Sequence, residues 1–229
     1  IRDRRKSRGS EMCIRDRFWR NSDWDDATNI HSFDISEPGY TQYIGSGRVD
    51  GTVQDQFSIS EFEGSVRIAS TSDAWARWWL MDEVDESGEP IWNGPTNQVS
   101  ILHPNEEGEL EQIGFIGSIA EGETIWSARF VADRGYLVTF ENVDPLWVID
   151  LSDPTNPVIL GELEVPGVST YIHPVNENTL LTIGIGPGED GLGLDWSKTQ
   201  ISLFDISDPT NPTLADSLPI SPVNVDENC

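Results

Sequence analysis

The stretch IDLSDPTNP, Ile149–Pro157, decides the fold, because it returns almost unchanged as FDISDPTNP over Phe204–Pro212. A looser copy, FDISEP, lies at Phe33–Pro38. Each copy ends one run of alternating apolar residues and precedes another, which is typical of two strands joined by a turn. Asp and Ser side chains bond the nearby backbone, and Pro fixes φ and ends strand pairing. The sequence therefore predicts the same β-hairpin several times.

Aligning the chain on this turn gives a repeating unit of four short strands. The turn position recurs at intervals of 69, 47 and 55 residues, at Asp34, His103, Asp150 and Asp205. Two intervals contain insertions between the second and third strands, at residues 74–96 and 187–198, and removing these leaves 46, 47 and 43 residues. Four strands in about 40–50 residues are typical of a β-propeller blade. A β-sandwich, the alternative, gives no reason for a nine-residue turn to repeat.

The predicted fold class is therefore all-β, an incomplete β-propeller of about three and a half four-stranded antiparallel blades. A partial blade covers residues 28–51, and three blades cover about 53–119, 124–165 and 168–220. The first strand of the 53–119 blade is predicted over Gln54–Phe62. Because propellers close at about 4–8 blades, we expect residues 21–229 to be a fragment of one propeller domain.

The first 20 residues differ from the rest of the chain. They hold eight of the 14 basic residues and repeat IRDR at Ile1–Arg4 and Ile14–Arg17. The string SEMCIRDR resembles translated sequencing-adapter read-through, which implies a non-native, disordered segment and a foreign Cys13. The alternative is a genuine basic tail. A targeting peptide is not expected, because no apolar run follows the arginines.

Charge and composition exclude several classes of protein. The chain has 229 residues, with 40 acidic against 14 basic and a formal net charge of -26. Such a negative field repels phosphate backbones, so nucleic acid is not an expected partner. No stretch approaches the roughly 20 apolar residues that cross a bilayer. Two cysteines at the extremes give neither a disulfide framework nor metal-ligand spacing.

The two insertions carry the candidate site. They contain five of the nine tryptophans: Trp75, Trp78, Trp79, Trp92 and Trp196. Repeat geometry places both insertions on one face of the propeller. Exposed aromatic rings beside carboxylates suit sugar stacking or a cationic ligand, so these residues are a candidate ligand or partner surface. Alternatively, the tryptophans form a small core of their own within the insertions.

The same insertions are rich in carboxylates. These are Asp82, Glu83, Asp85, Glu86, Glu89, Glu189, Asp190 and Asp195. Their spacing matches neither an EF-hand loop nor a glycine-rich calcium repeat, so no metal site is predicted. The sequence Gly184–Gly188 superficially resembles a dinucleotide loop but enters no helix. No cofactor is therefore expected.

Three stretches resemble the secreted bacterial and archaeal β-propeller-domain family that is distantly related to WD repeats. They are Gly47–Thr71, Ile125–Pro174 and Ile201–Pro212, and the likeness covers about residues 28–218. The resemblance implies an exported or cell-surface protein. It supplies no catalytic residues, because the family is described without an established catalytic activity.

We expect a non-catalytic extracellular binding or interaction module, with carbohydrate or protein at the cell surface as the partner. The alternative is a carbohydrate-active or other hydrolase or lyase whose active site lies at the propeller centre, partly outside this chain. His31, His103 and His173 lie far apart in the sequence and no nucleophile-elbow pattern accompanies them, so no catalytic residue is assigned. Structural histidines at strand ends are the default reading.

Overall fold

The structure is a computed structural model and describes residues 9–11, 26–72, 94–140, 144–188 and 193–220. Its elements are β-strands and one 3-10 turn, and every strand pairing between them is antiparallel. Across these residues no helix is long and apolar enough to span a membrane. The chain divides into two compact units.

Unit 1 comprises Ile1–Gly122 and Pro154–Asn156. It contains a three-stranded sheet in the order β1-β2-β3, made of β1 (Gly9–Glu11), β2 (Ala27–Glu37) and β3 (Tyr40–Asp50). Its second sheet has the order β4-β5-β6-β7, made of β4 (Ile59–Phe62), β5 (Ser65–Ser72), β6 (Thr96–Pro104) and β7 (Leu110–Ile119). The latter is a complete four-stranded blade.

Unit 2 comprises Glu123–Asp153 and Pro157–Cys229. It contains two four-stranded sheets, each ordered as in the sequence. The first is made of β8 (Thr124–Val131), β9 (Arg134–Phe140), β10 (Asp144–Asp150) and β11 (Val158–Val165). The second is made of β12 (Val168–Asn176), β13 (Thr179–Pro187), β14 (Leu194–Asp205) and β15 (Thr213–Ile220). The all-β blade architecture predicted from the repeat is confirmed.

The repeated Asp-x-Ser turn has the same hydrogen bond in each copy. An Asp carboxylate oxygen, near the end of β2 and at the ends of β10 and β14, accepts from the backbone N–H of the serine two residues later. The distances are 2.9 Å for Asp34 with Ser36, 3.0 Å for Asp150 with Ser152 and 2.9 Å for Asp205 with Ser207. Because the turn is stabilised by bonds between adjacent residues, its sequence specifies it locally.

The turn after β6 is closed by an asparagine side chain in place of the aspartate. His103 occupies the aspartate position, and Asn105 accepts from the backbone N–H groups of Glu107 and Glu109 at 3.0 and 2.9 Å. His103 instead lies 3.1 Å from the Ser65 hydroxyl through its Nδ1. A short polar side chain thus closes this hairpin too.

The strand predicted over Gln54–Phe62 is wrong in its first half. Residues Gln56–Ser58 form a 3-10 turn, and β4 begins only at Ile59. The Asp55 carboxylate accepts from the backbone N–H groups of Phe57 and Ser58 at 2.8 and 3.1 Å. An aspartate cap of this kind satisfies the free donors of a turn and so favours it over an extended chain.

Each unit has its own apolar core between neighbouring sheets. In unit 1 the core contains Ile30 and Val49 from the first sheet, with Val66, Ile68, Leu102 and Leu110 from the second. In unit 2 the first sheet contributes Tyr136, Val138, Leu146, Val148 and Val165, and the second contributes Val168, Ile172, Leu180, Phe204 and the adjoining Ile206. Period-two alternation along the strands places these residues on the facing sides.

Candidate functional site

Four of the five predicted site tryptophans, Trp75, Trp78, Trp79 and Trp92, lie outside the described residues. So do all of the insertion carboxylates named above except Asp195. Trp196 is described, and its side chain is 73% exposed. Among the described residues, Trp196 is therefore the centre of the candidate site.

Trp196 is presented by an irregular stretch at the start of β14. The pairing steps from Ile185↔Thr199 to Gly186↔Asp195, so residues 196–198 bulge out of the ladder. The insertion predicted at 187–198 is thus partly a continuation of the β13–β14 hairpin, since β14 begins at Leu194. A bulge re-aims side chains away from their regular direction, and here it exposes Trp196.

Asp195 holds this bulge in shape. Its Oδ1 accepts from the Ser197 backbone N–H at 3.0 Å and from the Ser197 hydroxyl at 2.6 Å. Its Oδ2 lies 2.8 Å from Nζ of Lys198. The hydrogen bond from Lys198, followed by those from Ser197, lowers the pKa of Asp195 from 3.8 to about 2. The carboxylate thus braces the bulge through three contacts with its neighbours.

A second tryptophan, Trp126, lies against Trp196. It too is a bulge residue, because β8 pairs Ile125↔Thr139 and then Ser127↔Val138. The Trp126 and Trp196 ring centroids are 6.1 Å apart with the planes tilted by 46°. On its other side Trp126 meets Phe140 edge-on at 5.5 Å and 71°. We refer to Trp126, Phe140 and Trp196 as the aromatic ledge.

The ledge is anchored at one end and exposed at the other. Trp126 and Phe140 are partly buried and pack against the core of unit 2, whereas Trp196 is open to solvent. Aromatic pairs at these distances and tilts attract each other beyond their buried area. Trp196 therefore has a fixed neighbour on one side of its ring and solvent on the other, the arrangement that a flat ligand needs.

A chain of two side-chain hydrogen bonds centres on Thr139. The Thr139 hydroxyl donates to Oε2 of Glu123 at 2.5 Å and accepts from Nε1 of Trp147 at 3.0 Å. Thr139 itself is fully buried and directly precedes Phe140. These bonds orient Glu123 at the start of β8, close in sequence to Trp126.

Sequence reasoning missed Trp126 and Phe140. The repeat contained a signal that could have identified them. In a four-stranded antiparallel sheet, the first strand begins and the second strand ends at the same end of the sheet. The insertion between the second and third strands leaves from that end. Trp126 lies near the start of β8 and Phe140 at the end of β9. The contact of Trp126 with Trp196 joins two sheets and depends on two bulges, which the alternating pattern does not reveal.

The three histidines have partners in their own sheets. His31 Nδ1 lies 3.2 Å from the Tyr43 hydroxyl, His103 contacts Ser65, and His173 stacks on Tyr171 with ring centroids 6.4 Å apart. Within the described part of the chain, no group of three or more His, Cys, Asp or Glu side chains could hold a metal ion. The Ser65–His103 pair is the nearest approach to a catalytic pair among these contacts.

Comparisons with known proteins point to one family. The family model described as a beta propeller domain matches residues 13–226. An uncharacterised protein of Methanocaldococcus jannaschii is 37% identical over 188 residues, covering 82% of this chain and 25% of that protein. An uncharacterised protein of Archaeoglobus fulgidus is 34% identical over 195 residues, covering 82% and 26%. The chain thus spans about a quarter of the length of these relatives.

Among solved structures, a hypothetical selenium-binding protein from Sulfolobus tokodaii aligns with a TM-score of 0.49 and 9% identity. The alignment covers 84% of this chain and 47% of that one.

Proposed function

The chain belongs to the beta propeller domain family, and on this premise we propose that it is a non-catalytic binding module of an exported protein, with the aromatic ledge as its ligand-contact surface. The observation that carries the proposal is Trp196, which is 73% exposed yet braced against Trp126. A tryptophan that large and that exposed costs solvation free energy, which a ligand recovers by covering the ring.

The proposed ligand is a carbohydrate. Sugar rings present apolar C–H faces that stack on indole, while their hydroxyls bond nearby polar groups. Glu123 and the Asp195–Lys198 pair flank the ledge in the sequence and supply such groups. A protein surface with an exposed aromatic or cationic side chain is the second ligand class that the ledge suits.

The proposed location outside the cytoplasm is supported by the family resemblance alone. It is tested by detecting the protein in envelope and medium fractions of cells that carry the complete gene. Recovery solely from the cytoplasmic fraction would contradict it. That result would leave the ligand proposal standing.

The ligand proposal is tested by tryptophan fluorescence titration and a glycan array with the 229-residue chain. We expect binding to at least one glycan class, with Trp196→Ala weakening it by about tenfold or more and Trp196→Phe by less, because each stacked ring contributes on the order of 1–2 kcal/mol. Tyr40→Ala is the matched control, since Tyr40 is an aromatic residue of unit 1 that is 60% exposed and belongs to no part of the ledge. An unchanged affinity in Trp196→Ala would contradict the assignment of the ledge.

The four tryptophans of the first insertion remain candidates in the same assay. Trp78→Ala and Trp79→Ala, made singly, ask whether they join the ledge in binding. A loss confined to these two variants would move the site to residues 74–96. The absence of any response by the intact chain, to glycans or to a protein fraction, would contradict the binding function itself.

A further inference from the structure

The ledge belongs to a strongly acidic chain. After residue 20 the sequence holds 37 acidic residues against six basic ones. The insertion that carries Trp196, residues 187–198, contains three acidic residues and one basic residue, Lys198. The summed field of such a chain attracts cations and repels anions, with a screening length of about 10 Å at moderate ionic strength. A ligand that approaches Trp196 therefore meets a field that favours positive charge.

Beside Trp196 in the sequence, one carboxylate and one ammonium group hold each other. Oδ2 of Asp195 lies 2.8 Å from Nζ of Lys198, and their side chains are 26% and 31% exposed. The remaining basic residues of unit 2 are Arg129, in the second half of β8, and Arg134, at the β8–β9 turn, away from the end of the sheet that carries the ledge. An anionic ligand on the ledge could recruit Lys198 only by breaking its charge-assisted hydrogen bond with Asp195. The local charges therefore disfavour acidic ligands.

A cationic group fits the same place without breaking that bond. Trp196 is 73% exposed, and indole is the aromatic ring that attracts cations most strongly. Oδ1 of Asp195 accepts twice from Ser197, and Oδ2 accepts once from Lys198. A carboxylate has about four acceptor sites, so Oδ2 keeps one for an ammonium group on a ligand. The same hydrogen bonds lower the pKa of Asp195 to about 2, so the carboxylate is ionised at neutral pH.

One class of carbohydrate combines the two properties that this surface favours. An apolar sugar face is needed to stack on Trp196, and a positive charge is favoured by the field and by Asp195. Glycans built from amino sugars with free amines present both on each ring. A neutral glycan offers the sugar face alone, and a glycan of uronic acids adds a charge that the chain repels.

We propose that the aromatic ledge selects glycans with free, protonated amines over neutral and acidic glycans, with Asp195 as the specificity-determining residue; this rests on the carbohydrate-binding function proposed above. Trp196 supplies the stacking surface, and Oδ2 of Asp195 supplies the acceptor for the ammonium group. Lys198 shares that oxygen, so it weakens the selectivity while it helps to hold the bulge. The balance between these two side chains sets how strongly the ledge distinguishes a cationic sugar from a neutral one.

The test compares three oligosaccharides of equal length by isothermal titration calorimetry with the 229-residue chain. They are built from glucosamine, from N-acetylglucosamine and from galacturonic acid, at about pH 5.5, where amines are protonated and Asp195 is ionised. We expect the glucosamine oligomer to bind about threefold or more tighter than the N-acetylglucosamine oligomer, and the galacturonic acid oligomer to bind more weakly than either. Raising the salt concentration about tenfold should reduce the preference for the amine, because salt screens the field.

Two substitutions with opposite changes in charge isolate the role of Asp195. Asp195→Asn keeps an Oδ1 acceptor for Ser197 and should weaken binding of the glucosamine oligomer by about twofold or more, whereas Lys198→Met frees Oδ2 and should strengthen it by about twofold. Each should change the affinity for the N-acetylglucosamine oligomer by less. Glu177→Gln and Arg134→Met are the matched controls, because they make the same changes in charge at the β12–β13 and β8–β9 turns, at the other end of the sheets.

Failure of this selectivity can be distinguished from failure of the binding function. Equal affinities for the glucosamine and N-acetylglucosamine oligomers, both lost in Trp196→Ala, would overturn the selectivity and leave the carbohydrate-binding function standing. Binding of none of the three oligomers would also overturn the selectivity, while the glycan array described above decides the binding function. If Asp195→Asn weakens both oligomers equally, the bulge has changed shape, and Lys198→Met decides: weaker binding of the glucosamine oligomer in that variant would overturn the proposal.

Discussion

Nε2 of Gln98 donates a 2.7 Å hydrogen bond to the carbonyl oxygen of Asp50, the last residue of the sheet before its own. In unit 2, Nε2 of Gln200 donates at 3.1 Å to the carbonyl oxygen of Pro166, which directly follows β11. Gln98 lies five residues before His103 and Gln200 five before Asp205. In both units, a glutamine at the same third-strand position thus hydrogen-bonds the end of the preceding sheet.

Removing the hydrogen bond between Gln98 and Asp50 should destabilise the chain. Gln98 is 7% exposed, so Gln98→Leu preserves the approximate volume and deletes a buried donor. We expect a loss of about 1–2 kcal/mol in the free energy of unfolding, measured by urea denaturation. Gln112→Leu, at an exposed position on β7, is the control and should change little. Equal midpoints for the two variants would contradict the role of the hydrogen bond.

A methyl group at Gly161 should disturb the packing of the β14–β15 turn. The added Cβ would lie 2.8 Å from two backbone carbonyl oxygens, which cannot rotate away as a side chain can. We expect Gly161→Ala to cost about 1–3 kcal/mol, the usual range for overpacking. Thermal unfolding measures the change, with Glu162→Ala at the exposed neighbouring position as the control. A Tm equal to that of the control would contradict this, because it would mean that the turn moves away from the added Cβ at no cost in stability.

Substitutions of the two ledge tryptophans should change the free energy of unfolding by different amounts. Trp126 packs against the core, so Trp126→Ala should cost about 2–4 kcal/mol. Trp196 is mainly exposed, so Trp196→Ala should change the unfolding free energy by less than about 1 kcal/mol. Denaturant titration of both variants measures this difference. Comparable losses would mean that Trp196 is part of the fold rather than a surface group.

The pKa of Asp195 supplies a pH-dependent prediction. Its folded value of about 2 lies below the ordinary 3.8, so folding favours the carboxylate. The resulting stabilisation is present above about pH 4 and is lost as the pH falls toward 2. NMR titration of the side-chain carboxyl should give the lowered pKa, and Lys198→Met should raise it, because Lys198 provides the largest contribution. A titration of Asp195 near its ordinary value would contradict the observed bracing of the bulge.

The features predicted from the sequence are those stabilised between near neighbours. The Asp-x-Ser turns could be anticipated at Asp34, Asp150 and Asp205 because each is closed by a bond spanning two residues. The spacing of these turns along the sequence then predicted the four-stranded sheets. The prediction of a strand from Gln54 is wrong up to Ser58, although Asp55 is a recognisable capping residue.

The ledge could be predicted only in part. Trp196 stood out because it belongs to an insertion, but its neighbour Trp126 lies 70 residues earlier within an ordinary alternating run. Their contact arises when two bulged strands from adjacent sheets pack together. Such long-range contacts depend on registers that a single sequence does not disclose.

The exposure of β15 should determine how readily this strand opens. All eight of its residues are exposed, and it is the edge strand of its sheet, hydrogen-bonded to β14. Segments with few buried apolar contacts open on their own, well below the free energy of global unfolding. Amide hydrogens on β15 should therefore exchange with deuterium before those of β5, and among the described strands a protease should cut β15 before β5. The last sheet would then lose β15 first, while the strand pairings within β4–β7 and within β8–β11 persist.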